Sequence, residues 1–208
     1  MRAWTSSTRC PARRTARGLR ARRGRDGRRR VRYACVGVDQ RLEEVTTVGM
    51  YASLFAVPES LVDEMRRDAA TREEWLGDPS ELDTHQLDKL WHGLHYLMTG
   101  SDQPTNAPVG HAIFGGAALS EDDMGFGPAT YLTPAEVAVA AVAMKQLDAK
   151  DLRARFDPAD MSARGVYPDI WVREGEAALD DLLAAYEKLR SYYARAADKG
   201  LAMLMWIA

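Results

Sequence analysis

The chain has 208 residues, of which 46% are hydrophobic, and its formal net charge is −2. This composition is typical of a globular protein, and no stretch approaches the roughly 18 to 20 uninterrupted apolar residues of a membrane-spanning helix, so we predict no membrane interaction. Residues 1–47 carry fourteen arginines, no lysine and four acidic residues, giving +10, whereas residues 48–208 carry nine arginines, five lysines and twenty-six acidic residues, giving −12. An acidic segment repels phosphate backbones, which disfavours nucleic-acid binding through residues 48–208.

The arginine-rich residues 1–47 have four alternative interpretations. Such a segment is typical of a nucleic-acid-binding tail or of an organelle transit peptide, while a secretory signal is disfavoured because no apolar stretch follows the charges. We favour a mis-assigned translation start, because arginine without lysine is typical of translated GC-rich upstream DNA and Val48 is compatible with a GTG start codon. If the segment is made, its composition predicts disorder. It contains both cysteines, Cys10 and Cys35, so residues 48–208 need no disulfide.

The first predicted elements are a strand and a helix. Met50–Val57 alternates loosely between apolar and other residues, which predicts a strand. Pro58 suits the first turn of a helix that extends to Ala70. The predicted inner face of that helix carries Leu61, Met65 and Ala69.

The most regular pattern predicts a helix from Asp83 to Gly100. Asp83 is a candidate N-cap with Gln86 three residues later, and glycine is common just after the last turn of a helix. Apolar side chains recur between them on one stripe: Leu87, Leu90, Trp91, Leu94, Leu97 and Met98.

A second helix is predicted from Thr133 to Leu147. The residues Thr133-Pro134-Ala135-Glu136 form a capping-box pattern with proline at the first helical position. The helix is apolar almost all round, which predicts burial on most of its sides. A strand is predicted just before it, in Gly125–Leu132, and two short helices after it, at residues 151–156 and from Asp157.

The chain closes with a helix at Glu174–Asp198 and an apolar segment at Leu201–Ile207. The segment is apolar on both faces, which predicts an interior strand. For residues 48–208 we therefore predict an α+β fold: one compact domain with a small, mostly antiparallel sheet covered by several helices.

No sequence motif assigns a reaction. The chain lacks the phosphate-loop patterns, the GxSxG nucleophile elbow and the HExxH zinc motif. His92 and His95 share a helical face, but two imidazoles alone make a poor zinc site, so we predict neither a metal nor a cofactor. His95 is either a boundary histidine packed on Trp91 or a pocket residue that titrates near neutral pH.

Aromatic side chains near turns and helix faces suggest a pocket, because rings with a polar tip often line binding sites. The predicted candidate pocket consists of His95 and four aromatic residues, namely Trp91, Tyr131, Tyr167 and Trp171.

Several segments resemble the YfbM-like proteins, a bacterial family known as domain of unknown function 1877. The similarity covers nearly all of residues 48–208 and lies in Leu87–Gly100, Gly127–Val137, Leu152–Pro158, Val166–Trp171 and Tyr192–Gly200. Family members typically begin Met-Gly-Met, which aligns Val48 with an initiator. The residues that the resemblance singles out include Trp91, His95, Tyr131 and Tyr167.

The resemblance implies a YfbM-like α+β domain in the bacterial cytoplasm and implies no reaction. We therefore predict a binding or protein-interaction module, with an unknown protein or small molecule as partner. One form of this binding hypothesis is a regulatory or immunity protein that blocks a basic partner through its negative charge. The alternative is a hydrolase-like enzyme that uses His95 as general acid or base in an aromatic-lined cleft. The ligand, the partner and the oligomeric state are not predictable from the sequence.

Overall fold

A computed structural model of the protein describes residues 49–208, and the predictions for residues 1–47 lie outside that range. Its centre is a five-stranded sheet in the order β2-β1-β5-β4-β3. Every neighbouring pair is antiparallel. The strands are β1 Ala52–Val57, β2 Asp83–Gln86, β3 Ala117–Asp123, β4 Pro128–Leu132 and β5 Ala202–Ile207.

Nine helices are present in the described part of the chain. The long ones are α5 and α9, and the rest have four to nine residues each. Their bounds are α1 Glu59–Arg67, α2 Ala69–Gly77, α3 Trp91–Thr99, α4 His111–Phe114, α5 Pro134–Gln146, α6 Ala149–Arg155, α7 Pro158–Ala163, α8 Trp171–Glu174 and α9 Glu176–Asp198. Among residues 49–208, no helix has both the length and the hydropathy that crossing a membrane requires. The predicted α+β fold with an antiparallel sheet is confirmed.

The two faces of the sheet build two hydrophobic clusters, because successive strand residues point to opposite sides. In β5, Met203, Met205 and Ile207 face the larger cluster, which α3, α5 and α9 cover. Ala202 and Leu204 face the smaller cluster, to which α1 contributes Val62 and Met65. The predicted interior strand at the C-terminus is thus confirmed.

The predicted helix at Asp83–Gly100 is wrong in its first half. Asp83–Gln86 is β2, paired with β1 over Ser53–Ala56, and a 3-10 turn at Asp88–Leu90 precedes α3. Ladder hydrogen bonds to a distant strand override the helical spacing here, and Asp88 has a φ of 49°, which a right-handed helix does not tolerate. The predicted end is correct, because Gly100 caps α3 with a φ of 75°.

The predicted helix after Pro58 is also too long. Asp68 is extended, and its side chain accepts hydrogen bonds from the backbone N–H groups of Ala70 and Thr71, so a new helix begins there. The residues buried in α1 are Val62 and Met65, whereas Leu61 is half-buried and Ala69 is exposed.

Helix α5 begins as predicted but is less buried than predicted. Thr133 and Glu136 form the capping box. Only Val137, Ala140 and Met144 are buried, whereas Val139 and Val142 on the outer face are 53% and 59% exposed. The apolar character of α5 therefore creates an apolar surface in addition to a core contact.

We predict that Gly93→Ala destabilises the protein by about 1–3 kcal/mol through overpacking. Gly93 lies in the buried face of α3, and a Cβ atom there would be 2.3 Å from Cη2 of Trp171. In an unobstructed helix the same change stabilises by about 1 kcal/mol. Gly77→Ala in α2 is the matched control, because no atom lies within 4 Å of its added Cβ. Urea unfolding measures both, and equal effects would contradict the close contact with Trp171.

Candidate ligand-binding site

Helix α3 directs two histidines toward the loop that follows it. The His92 Nε2 donates to the Asp102 carbonyl at 2.8 Å, and its Nδ1 accepts from the Tyr167 backbone N–H at 3.0 Å. Because a carbonyl only accepts and a backbone N–H only donates, this geometry requires the neutral ring with its proton on Nε2. The His95 Nε2 donates in the same way to the Gln103 carbonyl at 2.9 Å.

His95 is sealed inside the protein. Its exposed fraction is 0%, and its ring meets Phe114 edge-on with 4.6 Å between the ring centres. Burial lowers its pKa below 6.5, so the ring is neutral at neutral pH. A general acid or base must reach its substrate, and the hydrolase alternative with His95 in that role is therefore not supported.

Trp91 and Tyr167 position the beginning of the described chain. The indole N–H of Trp91 donates to the Met50 carbonyl at 3.2 Å, and the Met50 N–H donates to the Tyr167 hydroxyl at 3.0 Å. The two rings are stacked with 6.0 Å between their centres. Both polar groups of one backbone residue are thus satisfied by this pair.

The predicted five-residue pocket is not one cleft in the structure. Trp171 is fully buried, and its indole N–H donates to the Val166 carbonyl at 2.7 Å. Tyr131 lies on the opposite face of the sheet from Trp91, with the guanidinium carbon of Arg66 5.3 Å from its ring centre. The structure brings Trp91, His95 and Tyr167 into one region, where they serve packing and backbone hydrogen bonds.

A different concave site lies between edge strand β2 and helix α9. It is a cavity of about 430 Å³ whose lining includes His85, Lys188, Ser191 and Arg195, together with Glu187. Lys188, Ser191 and Arg195 are spaced three and seven residues apart, which places them on one face of α9. We call these four residues, without Glu187, the cationic cleft.

The aromatic ring of Tyr192 contacts two residues of the cationic cleft, His85 and Arg195. Tyr192 is buried in α9, and His85 stacks on its ring with 5.1 Å between the centres. The Arg195 guanidinium carbon lies 5.6 Å from the centre of the same ring. The Tyr192 hydroxyl accepts from the Ala56 N–H and donates to the Asp83 carbonyl, which joins α9 to both β1 and β2. The cleft is therefore built on fixed elements.

Lys188 and Arg195, the two cations of the cationic cleft, form no salt bridge within the described residues, although the Glu187 carboxylate lines the same cavity. Glu187 accepts a hydrogen bond from Arg190. The pKa of His85 lies below 6.5, first because of burial and then because of the positive charges of Arg195 and Lys188. Those cations therefore outweigh the opposing charge of Asp83 at the imidazole.

A second cavity of about 220 Å³ adjoins the cleft and shares His85 and Lys188 with it. Its lining includes the carboxylates of Asp88 and Asp181. Lys188 and Arg195 would attract an anion in the cationic cleft, whereas Asp88 and Asp181 would repel one that extends into the adjoining cavity. This arrangement favours small anions.

No group of three or more histidine, cysteine, aspartate or glutamate side chains converges in residues 49–208. His92 and His95 instead direct their Nε2 atoms at backbone carbonyls.

The architecture is that of a small α+β protein with a central antiparallel sheet, and it has solved relatives. The chain belongs to the family described as domain of unknown function (DUF1877), which matches residues 48–206. The fold is similar to that of a protein of unknown function, YfbM from Escherichia coli, with a TM-score of 0.64 and 23% identity, over 76% of this chain and 99% of that one. A search of curated proteins finds no match.

The cationic cleft was missed by the sequence interpretation because of the error at β2. With Asp83–Gln86 assigned to a helix, there was no basis for placing His85 beside α9. The spacing of Lys188, Ser191 and Arg195 was visible in the sequence and was the available signal.

We predict that the free energy of unfolding decreases as the pH falls below 6.5. His95 is neutral in the folded state because its pKa is lowered, so the unfolded chain binds a proton in this pH range that the native protein does not. Each such proton contributes up to about 1.4 kcal/mol per pH unit, and the loss ends below the folded pKa. The slope of the free energy of unfolding against pH is measured by urea unfolding between pH 5 and 8, at intervals of about half a pH unit.

His95→Gln should reduce that slope, and His85 supplies a remaining part because its pKa is lowered too. Phe114→Leu is the control, because it loosens the contact with His95 and leaves the imidazole in place. An unchanged slope in His95→Gln would contradict the assignment.

Proposed function

We propose that this protein is a binding module for a small anion that carries a phosphate or carboxylate group. The observation that supports the proposal is the cationic cleft, in which Lys188 and Arg195 face a cavity without salt bridges to the described residues. In a segment with a net charge of −12, two such cations around one concavity stand out. A ligand anion would supply the missing negative charge.

The chemistry of the cleft fits an oxyanion. Lys188 and Arg195 provide charged donors, Ser191 provides a hydroxyl, and His85 provides a ring that the anion would help to protonate. The volume of about 430 Å³ falls in the range of small-molecule sites, roughly 300–1,000 Å³. Asp88 and Asp181 in the adjoining cavity disfavour long polyanions.

The proposed location is the bacterial cytoplasm. Residues 48–208 contain no cysteine, so no disulfide ties the domain to an oxidising compartment. A cytoplasmic module would meet phosphorylated and carboxylated metabolites, which are the ligand classes proposed here.

Lys188→Ala combined with Arg195→Ala should weaken anion binding at least about tenfold, since hydrogen bonds to charged groups contribute about 1.5–3 kcal/mol each. Binding of pyrophosphate and of citrate is measured by amide shifts in NMR titrations and by the change in Tm. The expected wild-type result is a set of shifts confined to β2 and α9.

The matched control is Lys150→Ala combined with Arg173→Ala, which removes the same charge from α6 and α8. Equal weakening in both double variants would show general electrostatic attraction and would contradict the cleft. Wild-type protein that binds neither anion would contradict the proposed function itself.

Anion binding should also raise the pKa of His85, because an adjacent negative charge favours the imidazolium. The lowered pKa of the free protein means that binding should strengthen as the pH falls through that value. Sulfate is the suitable probe, since it stays a dianion throughout the working range. The His85 ring signals report the pKa directly, and His85→Gln should make sulfate affinity independent of pH in this range. A His85 pKa that sulfate leaves unchanged would place the anion elsewhere.

A further inference from the structure

The cavity that adjoins the cationic cleft carries charge of the opposite sign. This adjoining cavity, of about 220 Å³, is lined by the carboxylates of Asp88 and Asp181 and shares His85 and Lys188 with the cleft. Asp88 follows edge strand β2, and Asp181 lies in the second turn of α9. A positive and a negative concave surface therefore meet between β2 and α9.

The directions of β2 and α9 bring the two carboxylates together. His85 stacks on the ring of Tyr192. Asp88, three residues after His85, instead lines a cavity with Asp181, which is eleven residues before Tyr192. The chain from β2 to Asp88 and helix α9 therefore run in opposite directions, and each contributes one carboxylate at the same end.

Three charged residues follow one another along one face of α9. Asp181, Lys188 and Arg195 are seven residues apart, which corresponds to intervals of about 10 Å along the helix. Lys188 lines both cavities, but within the described residues it forms no salt bridge with Asp181 or Asp88, and neither carboxylate has another ion-pair partner there. Both signs of charge are thus available to a ligand.

Apolar side chains separate the charged groups. On α9, Ala184 and Ala185 lie between Asp181 and Lys188 and line the adjoining cavity. The chain after β2 contributes Leu87, whose side chain is buried. Such side chains contact methylene groups and form no hydrogen bonds. A ligand that spans both cavities would therefore need an aliphatic stem between its charged ends.

We propose that the ligand of this site is a small zwitterion, with a phosphate or carboxylate group at one end and an ammonium group at the other. The anionic group would occupy the cationic cleft between Lys188 and Arg195, as in the proposed function on which this assignment rests. The ammonium group would donate to Asp88 and Asp181 in the adjoining cavity. The interval of about 10 Å between Asp181 and Lys188 corresponds to a stem of about six carbon atoms.

The contribution of the ammonium group should be modest, because Asp88 and Asp181 are both exposed. Solvent screens each of the two ion pairs that it would form. Together they correspond to an affinity about three- to tenfold higher than that of the same anion without the amine.

Four phosphate monoesters test the assignment on the full chain by NMR titration at about pH 8, where the phosphate is a dianion and an alkyl amine is protonated. Aminohexyl phosphate should bind about three- to tenfold more tightly than hexyl phosphate. Aminoethyl phosphate is too short to reach both cavities, so it should gain much less over ethyl phosphate. An equal gain at both lengths would show general attraction to the acidic domain and would overturn the proposal.

Asp88→Asn combined with Asp181→Asn should affect the two six-carbon esters differently. The advantage of aminohexyl phosphate should fall at least about threefold, whereas hexyl phosphate should bind as well as before or more tightly, because a repulsion is lost. Asparagine tolerates the φ of 49° at residue 88, and a variant that fails to fold would lose both esters.

The matched control is Glu73→Gln combined with Glu121→Gln, which removes the same charge from α2 and from β3, the other edge strand. This variant should keep the full advantage of aminohexyl phosphate. An advantage that persists in Asp88→Asn/Asp181→Asn, or that is absent from the wild type while pyrophosphate still binds, would overturn the zwitterion alone. Wild-type protein that binds neither the esters nor pyrophosphate would overturn the proposed function as well.

Discussion

The position of β5 at the centre of the sheet is the constraint on which the rest of the structure depends. The pair β1–β2 and the pair β3–β4 are joined within the sheet only through this last strand of the described chain. Hydrogen bonds between Tyr51 and Ala208 extend the pairing beyond the end of β1. Both hydrophobic clusters include residues of β5. A two-stranded ribbon alone is marginal in water, so each half of the sheet depends for its stability on β5 and on the helices packed against it.

Several residues of the predicted pocket hold backbone segments in place. Trp91 and Tyr167 satisfy the backbone of Met50, and His92 and His95 fix the carbonyls of residues 102 and 103. Trp91, His92 and His95 each connect α3 to a segment outside the strands and helices, and Tyr167 holds the same Met50 backbone from the loop before α8. A buried residue with a polar tip is needed there, because an unpaired backbone group in the interior costs free energy. Recurrence of such residues in a family therefore requires no shared reaction.

The parts of the fold that local rules govern were predictable from the sequence. The capping box at Thr133 and Glu136, the glycine end of α3 and the apolar final strand are encoded within a few residues. The strand β2 was not predictable, since its partner β1 lies some thirty residues earlier and Asp83 with Gln86 matches a helix-capping pattern just before an apolar helical stripe. The exposure of α5 and the contact between β2 and α9 depend on how the helices pack on the sheet. Hydrophobic periodicity does not specify that packing.

Helix α9 separates two concave surfaces that share one of its side chains. Ser191 lines both the cationic cleft and a groove of about 690 Å³ between α5 and α9. Tyr186, Leu189 and Tyr193 bury the inner face of the helix in the core. A ligand on one flank that changes the position of Ser191 would therefore also change the lining of the other flank. Thermodynamic reciprocity then applies: the factor by which one binding event changes the second equals the factor by which the second changes the first. Helix α9 would then couple binding at the cationic cleft to binding at the groove between α5 and α9.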